Sequence, residues 1–183
     1  MRIIARIDIK NNFVIKGINL EGLRKVGNPL ELITKYYHDG VDEIIISDSV
    51  ASLYGRNNLF ELIKEITKEI FIPITLGGGI RDLFDIEKAL NSGADKVSIN
   101  SKALEEPKFI RQASDKFGSS TIVASVEAKK ISEFSWEPYK FCGREKTNRN
   151  LKDWIKIIQD NGCGEIFLTS IDHEGTKKGF DLD

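Results

Sequence analysis

The chain is poor in the residues that build metal centres and disulfide frameworks. Its 183 residues include only two cysteines and two histidines. Cys142 and Cys163 are far apart in sequence and lack the spacing of metal ligands or of a disulfide framework. His38 and His173 are separated even more widely. The sequence therefore predicts two unpaired thiols in a reducing cytoplasm, and it predicts neither a metal site nor a cofactor.

Charge and hydropathy argue against two classes of partner. Lysine and arginine number 27 against 28 acidic residues, which leaves a net charge of -1. Bulk electrostatics therefore favours neither nucleic acid nor an anionic membrane surface. No apolar run approaches the roughly 20 residues that a membrane-spanning helix needs, and the N-terminal residues lead into a strand without a signal-peptide pattern. We expect a soluble cytoplasmic protein.

Short apolar runs alternate with amphipathic segments along the whole chain. The runs are nearly continuous, as is typical of strands that are buried on both faces. They lie at residues 3–9, 43–48, 72–76, 95–99, 121–127 and 165–170. Helical stripes follow residues 59–70 and 151–158, and Pro29, Asp82 and Pro107 are placed in first helical turns. Strands that alternate with helices predict parallel βαβ units.

The two halves of the chain resemble each other. Asp8 closes one apolar strand as Glu127 closes another, and a lysine follows each acid two residues later. A repeat of about 120 residues would give a complete protein of roughly 240, close to the usual (β/α)8 barrel. We therefore predict an α/β fold in which residues 1–183 form one TIM-barrel domain, truncated after about six βα units. Strands seven and eight are expected to be absent.

Two insertions follow the strands that end in these acids. Residues 10–28 predict a small hairpin and a flexible loop, and residues 130–149 predict another strand-like pair. Loops on the carboxyl side of barrel strands are where such enzymes build their sites. Both insertions are therefore expected to lie beside the catalytic groups.

Carboxylates at the ends of buried strands indicate chemistry, because an acid there costs free energy unless it is paired or functional. Asp8 and Glu127 are candidates for general acid and general base, provided that their environments separate their pKa values. The alternative is that each acid only pairs with a lysine, such as Lys10 or Lys16. Asp48 closes the second strand and is expected to orient substrate or a lysine.

Residues at three strand ends are suited to phosphate. A glycine triplet that ends at Gly79 would let backbone N–H groups approach an anion. Asn100 and Ser101 are expected to cap the next helix, whose N-terminus also favours phosphate. Glu174 and Gly175 follow the sixth strand and form a second candidate site. The alternative is a tight turn and an ordinary helix cap, but two such sites would suit an elongated substrate with a phosphate at each end.

Four charged residues stand at or near the start of predicted strands. They are Arg2, Glu43, Lys96 and Glu165. We expect them to cluster at the amino-terminal end of the barrel, where a salt-bridge ring conventionally serves stability. A ring of alternating charges can also close a narrow channel along the barrel axis, and we name these four the gate residues.

The motifs together resemble the cyclase subunit of imidazole glycerol phosphate synthase, from histidine biosynthesis. The resemblance covers Arg2 to Asp183. Its strongest carriers are the runs 8–10, 14–17, 77–80, 93–100 and 164–172. It implies a (β/α)8 barrel that takes ammonia from a glutaminase subunit docked on its amino-terminal face, as a heterodimer. The barrel would cyclise a bis-phosphorylated ribulosyl intermediate to imidazole glycerol phosphate.

The same resemblance implies roles for individual residues. Asp8 and Glu127 would be catalytic, the gate residues would control ammonia, and a further set would bind the phosphorylated substrate. That set is Lys16, Asp48, Gly79, Asn100, Ser101, Thr169, Glu174 and Gly175. Lys16, in the hairpin, would hold a phosphate or the reacting intermediate.

Two residues depart from the family pattern. Glu127 stands where aspartate is usual, and a displaced carboxylate can cost roughly 100-fold in rate. Arg6 stands where cysteine is usual and shares the inward face with Asp8. It would pair with Asp8 or Glu127, favour the charged form and weaken a general acid. Both departures also resemble a side branch in which the barrel is a non-cyclising ammonia conduit for amidation of a nucleotide-linked or surface sugar. We favour the cyclase, because the phosphate-type loops and Lys16 are retained.

Overall fold

The computed structural model describes residues 1–51 and 59–182, and in them strands and helices alternate as predicted. The strands are β1 (Ile4–Lys10), β2 (Phe13–Ile18), β3 (Glu21–Gly27), β4 (Glu43–Asp48), β5 (Ile74–Gly77), β6 (Lys96–Ile99), β7 (Ile122–Ser132), β8 (Ser135–Lys140), β9 (Glu145–Lys146) and β10 (Glu165–Ser170). The helices are α1 (Pro29–His38), α2 (Leu59–Ile66), α3 (Leu83–Asn91), α4 (Ser101–Glu105), α5 (Lys108–Phe117) and α6 (Leu151–Asp160), with a 3-10 turn at Ser119–Thr121.

The chain forms two compact units. The first unit contains Met1–Ile15 and Lys25–Ser98, and the second contains Lys16–Arg24 and Ile99–Asp183. The single domain expected over residues 1–183 stays a prediction. No helix within the described residues is long and apolar enough to cross a membrane.

The first unit is built on parallel strands. β1 pairs with β4, β4 with β5 and β5 with β6, all in parallel, while β2 pairs with β1 in antiparallel fashion. Isoleucines dominate these strands because branched side chains pack well on a pleated surface that is buried on both sides. Ile33 of α1, Ile63 of α2 and Ile86 of α3 are fully buried and provide the helical part of the core. This arrangement confirms the predicted α/β fold with a mostly parallel sheet.

The second unit combines one parallel and two antiparallel strand pairs. β10 lies parallel to β7, β8 returns antiparallel to β7, and β9 pairs with β8. Trp154 and Ile158 of α6 are buried, as the predicted helical stripe requires. No disulfide joins Cys142 and Cys163 in the structure.

The structure corrects three sequence-based boundaries. β7 continues to Ser132 instead of ending near Glu127, because the insertion folds back on it as β8. The loop expected within residues 10–28 contains the strand β3, whose residues are mostly exposed and therefore show no apolar alternation. The helix α2 ends at Ile66, although Ile70 of the same stripe is buried just beyond it.

Side-chain caps fix the start of several helices. Asn28 accepts hydrogen bonds from Leu30 N at 2.9 Å and from Glu31 N at 3.3 Å, with Pro29 in the first helical turn. Asp82 caps α3, whereas Pro107 precedes α5 without a side-chain cap. These positions confirm that all three predicted residues mark helix starts. Such caps satisfy amide groups that the first turn leaves unpaired.

The cap of α6 gives a direct test of local stability. Asn150 Oδ1 accepts from Lys152 N at 2.9 Å and from Asp153 N at 3.4 Å. We expect Asn150→Ala to lower the free energy of unfolding by about 1 kcal/mol, because two amides lose their acceptor. Asn150→Asp should retain stability. Urea denaturation measures both, and an unchanged midpoint in Asn150→Ala would contradict the assignment.

Burial also sets the reactivity of one thiol. Cys163 Sγ donates to the carbonyl oxygens of Glu165 at 3.0 Å and Ile122 at 3.3 Å. Burial raises the pKa of the Cys163 thiol, so its reactive thiolate is scarce at neutral pH. In Cys142→Ala, iodoacetamide at pH 8 should modify Cys163 more slowly than it modifies glutathione, and denaturant should remove the difference. Equal rates in the native protein would show that this thiol is not protected.

Candidate functional site

Asp8 lies in a row of small residues near the carboxyl ends of the first unit's strands. The register pairs Asp8 with Ser47 of β4, Ser47 with Gly77 of β5, and Gly77 with Ser98 of β6. Residues paired in this way in parallel strands present their side chains on the same face of the sheet. The acid is therefore the one charged group in this row of four.

Arg6 is the cation that pairs with Asp8. Its Nε donates to Asp8 Oδ1 at 2.9 Å, and the two side chains are 19% and 12% exposed. The expectation that Arg6 would share a face with Asp8 and pair with it is confirmed. The alternative pairing of Asp8 with Lys10 or Lys16 is wrong for the described contacts. Lys10 is exposed at the end of β1, where its ammonium stays hydrated.

Asp48 holds the turn after β4. Its Oδ1 accepts hydrogen bonds from Val50 N and Ala51 N, both at 2.9 Å, and its role in orienting substrate or a lysine stays a prediction. Gly78 passes close to the same residue, with a φ of +86°, and a Cβ there would lie 2.3 Å from Asp48 O. Gly79 has a φ of +74°. The predicted tight turn is confirmed, and only glycine fits it without strain.

Glu127 is held by neutral donors in the second unit. It is 6% exposed, and its Oε2 accepts from Asn100 Nδ2 at 3.0 Å and from Gly143 N at 2.9 Å. Asn100 Nδ2 also donates to Tyr139 O at 3.2 Å. Thr169 of β10 is buried and lies opposite Glu127 in the register of the two strands. These contacts fix the longer side chain and satisfy its buried charge.

The predicted capping role of Asn100 is wrong. Asn100 makes no side-chain cap on α4, and its Oδ1 is buried without a hydrogen-bond partner in the described structure. The reason is that its amide turns toward the carboxylate of Glu127, which is a stronger acceptor than a neutral group. Ser101 Oγ accepts from Phe141 N at 3.1 Å and so ties the start of α4 to the turn that follows β8.

That turn supplies a site residue that the sequence analysis missed. Phe141, Cys142 and Gly143 have φ values of 52°, 57° and 75°, so three consecutive residues adopt the left-handed conformation. This conformation is costly for residues other than glycine and indicates a constrained turn. It directs the Gly143 amide at Glu127. The single glycine was the only local signal for the turn, and nothing in the sequence indicated its partner.

The loop after β10 contacts the β2–β3 hairpin within the second unit. The ammonium of Lys16 and the carboxylate of Glu174 form an ion pair. Asn19 N donates to Glu174 O at 2.8 Å, and a Cβ at Gly175 would meet Gly17 O at 2.1 Å. Two predicted substrate residues, Lys16 and Glu174, are thus brought together, and glycine at 175 permits the close approach of the two backbones.

Glu43 is the centre of the predicted charge cluster. It is 1% exposed, and it bonds to Arg2 Nη1 at 3.1 Å and to Lys96 Nζ at 3.0 Å. Thr75 Oγ1, which the sequence analysis missed, also donates to Glu43 at 3.0 Å. Three of the four gate residues therefore meet in the first unit. Glu165 begins β10 in the second unit, and its place in a ring stays a prediction.

Comparison with known proteins identifies the family. The profile of the family described as "Histidine biosynthesis protein" matches residues 2–183. Imidazole glycerol phosphate synthase subunit HisF of Legionella pneumophila is 52% identical over 183 residues, which is 100% of this chain and 86% of that protein. The subunit of Helicobacter hepaticus is 44% identical over 98% of this chain and 72% of its own length.

A third relative extends the same result. The HisF subunit of Streptococcus sanguinis is 42% identical over 181 residues, covering 99% of this chain and 72% of that protein. The chain therefore belongs to the histidine biosynthesis protein family, among the imidazole glycerol phosphate synthase HisF subunits.

Proposed function

We propose that this chain is the cyclase subunit of an imidazole glycerol phosphate synthase. It acts as a lyase of histidine biosynthesis, which uses ammonia to convert a bis-phosphorylated ribulosyl aminoimidazole carboxamide intermediate to imidazole glycerol phosphate. The names of relatives at 41% to 52% identity support this activity. The structural observation that carries it is that two carboxylates, Asp8 near the end of β1 and Glu127 within β7, are each held by specific donors.

Asp8 and Glu127 are the proposed acid–base pair. Asp8 is held by a guanidinium, and Glu127 is held by an amide side chain and a backbone N–H. The described partners of the two carboxylates therefore differ in kind, and we propose that this difference divides the acid and base roles between them. The donors of Glu127 also offset the freedom that its extra methylene introduces, which supports catalysis over the conduit alternative.

The remaining loops are the proposed substrate contacts. Backbone N–H groups near Gly79 and the hydroxyl of Ser101 would bind one phosphate, and the loop at Gly175 would bind the other. Asn100 would contribute by holding Glu127. Lys16 would exchange the Glu174 carboxylate for an anionic group of the substrate. Thr169 and Asp48 would complete the site, Thr169 from the strand beside Glu127 and Asp48 by holding the turn after β4.

A glutaminase subunit is the proposed partner, and the relatives' name, subunit of a synthase, supports a multi-chain enzyme. We propose a heterodimer in which the partner docks at the amino-terminal ends of the strands, next to Arg2, Glu43 and Lys96. Glu165 is the proposed fourth gate residue. The two free thiols fit a reducing compartment, so we place the reaction in the cytoplasm.

Removal of either carboxylate tests the proposed chemistry. With the ribulosyl substrate and an ammonium salt, Asp8→Asn and Glu127→Gln should each lower kcat at least about 100-fold, because an amide neither donates nor accepts the transferred proton. Glu61→Gln is the matched control, since Glu61 pairs with Lys64 on the exposed surface of α2. Product formation is followed by chromatography. Unchanged turnover in Asp8→Asn would refute the role given to that residue.

The charge cluster around Glu43 has a separate test. Glu43→Gln removes the buried carboxylate charge to which Arg2 and Lys96 bond, so the free energy of unfolding should fall by roughly 3 kcal/mol. Breaking the exposed Glu61–Lys64 pair with Glu61→Gln should cost under about 1 kcal/mol. Chemical denaturation compares the two variants. Equal losses would mean that the Glu43 cluster contributes no more than a surface ion pair.

A further inference from the structure

We infer that Arg6 is a positioning residue for the reaction, which fixes the carboxylate of Asp8 in one orientation. The inference rests on the proposed function for its catalytic consequence, but the geometry that supports it lies entirely within the first unit. Arg6 would act through Asp8 and would not itself exchange a proton with the substrate, because an arginine side chain stays protonated in proteins.

Strand alternation places the two residues on one face of β1. Ile7 and Ile9 are each 1% exposed and point into the core, so the alternate residues Arg6 and Asp8 point to the opposite side. Arg6 and Asp8 are therefore same-face neighbours, separated by about 6.6 Å of strand rise. The long arginine side chain spans this distance and brings its Nε to 2.9 Å from Asp8 Oδ1.

In the described parallel strands β4, β5 and β6, the residues in register with Asp8 are uncharged. The row of Asp8 is completed by Ser47, Gly77 and Ser98, whose side chains are small and uncharged. The adjacent row contains Ile45, Thr75 and Lys96 beside Arg6. The ammonium of Lys96 bonds to both carboxylate oxygens of Glu43, at 3.0 and 3.1 Å. Among the residues of these two rows, Arg6 is therefore the cation that bonds to Asp8.

The burial and geometry of the Arg6–Asp8 pair indicate that Arg6 orients the Asp8 carboxylate, which an exposed ion pair on the surface would not do. Both side chains are mostly buried, at 19% and 12% exposure, so solvent screens their attraction less than it screens an exposed pair. A guanidinium has a planar, rigid set of donors and a weak hydration shell, which suits it to hold a carboxylate in one geometry. Without it, Asp8 would be free to populate other staggered rotamers.

The test compares Arg6→Ala and Arg6→Lys with wild type by two independent measurements. The first is ammonium-dependent turnover, in which Arg6→Ala should lower kcat by roughly 10- to 100-fold with KM changed less than about threefold. Arg6→Lys should recover part of the loss, and added ethylguanidinium should partly rescue Arg6→Ala. Arg111→Ala is the control, because Arg111 is exposed on α5 and bonds to the Asp160 carbonyl.

The second measurement does not depend on activity. Three-bond NMR couplings from the backbone to Asp8 Cγ, assigned with Asp8→Asn, report the side-chain rotamer. Wild type and Arg6→Lys should show a single rotamer, whereas Arg6→Ala should show averaged values. Averaged couplings together with a lower kcat support the inference. A single rotamer in Arg6→Ala overturns it, whatever happens to turnover. If wild type fails to turn over the substrate, the proposed function fails, and the couplings still decide the role of Arg6.

Discussion

A carboxylate buried near the end of a parallel strand needs a donor, and this requirement organises most of the structure described here. Glu43, at the start of β4, forms ion pairs with Arg2 and Lys96 and accepts a hydrogen bond from the hydroxyl of Thr75. Asp8 is met by a guanidinium from its own strand, and Glu127 by an amide side chain and a turn. Each buried carboxylate requires hydrogen-bond donors at particular positions of the surrounding structure. Each acid therefore also constrains where its donor residues lie.

The differences among these solutions matter for function. The described partners of Glu43 lie on β5, on β6 and just before β1, which suits a stabilising role. Asp8 and Glu127 have unlike described partners: Asp8 bonds to a guanidinium, and Glu127 bonds to an amide side chain and a backbone N–H. The altered side chain at Glu127 is accommodated because Asn100 and the turn at Gly143 reach it.

Much of this was predictable from local sequence. Apolar runs predicted the strand positions in both units. The alternation of side chains between the two faces of a strand predicted that Arg6 and Asp8 would pair. The partners of Glu127 were not predictable, because Asn100 and Gly143 are 27 and 16 residues away and contact it only after the chain has folded. Thr75 was missed for the same reason, at 32 residues from Glu43. The strand β3 was missed because its exposed residues have no burial pattern to detect.

The central claim is that this chain joins ammonia to a ribulosyl substrate and releases an imidazole product. The most direct measurement is incubation of the purified protein with the ribulosyl substrate and nitrogen-15 ammonium chloride, followed by mass spectrometry of the products. The account predicts imidazole glycerol phosphate that carries one labelled nitrogen. Intact substrate with no labelled imidazole product would contradict it.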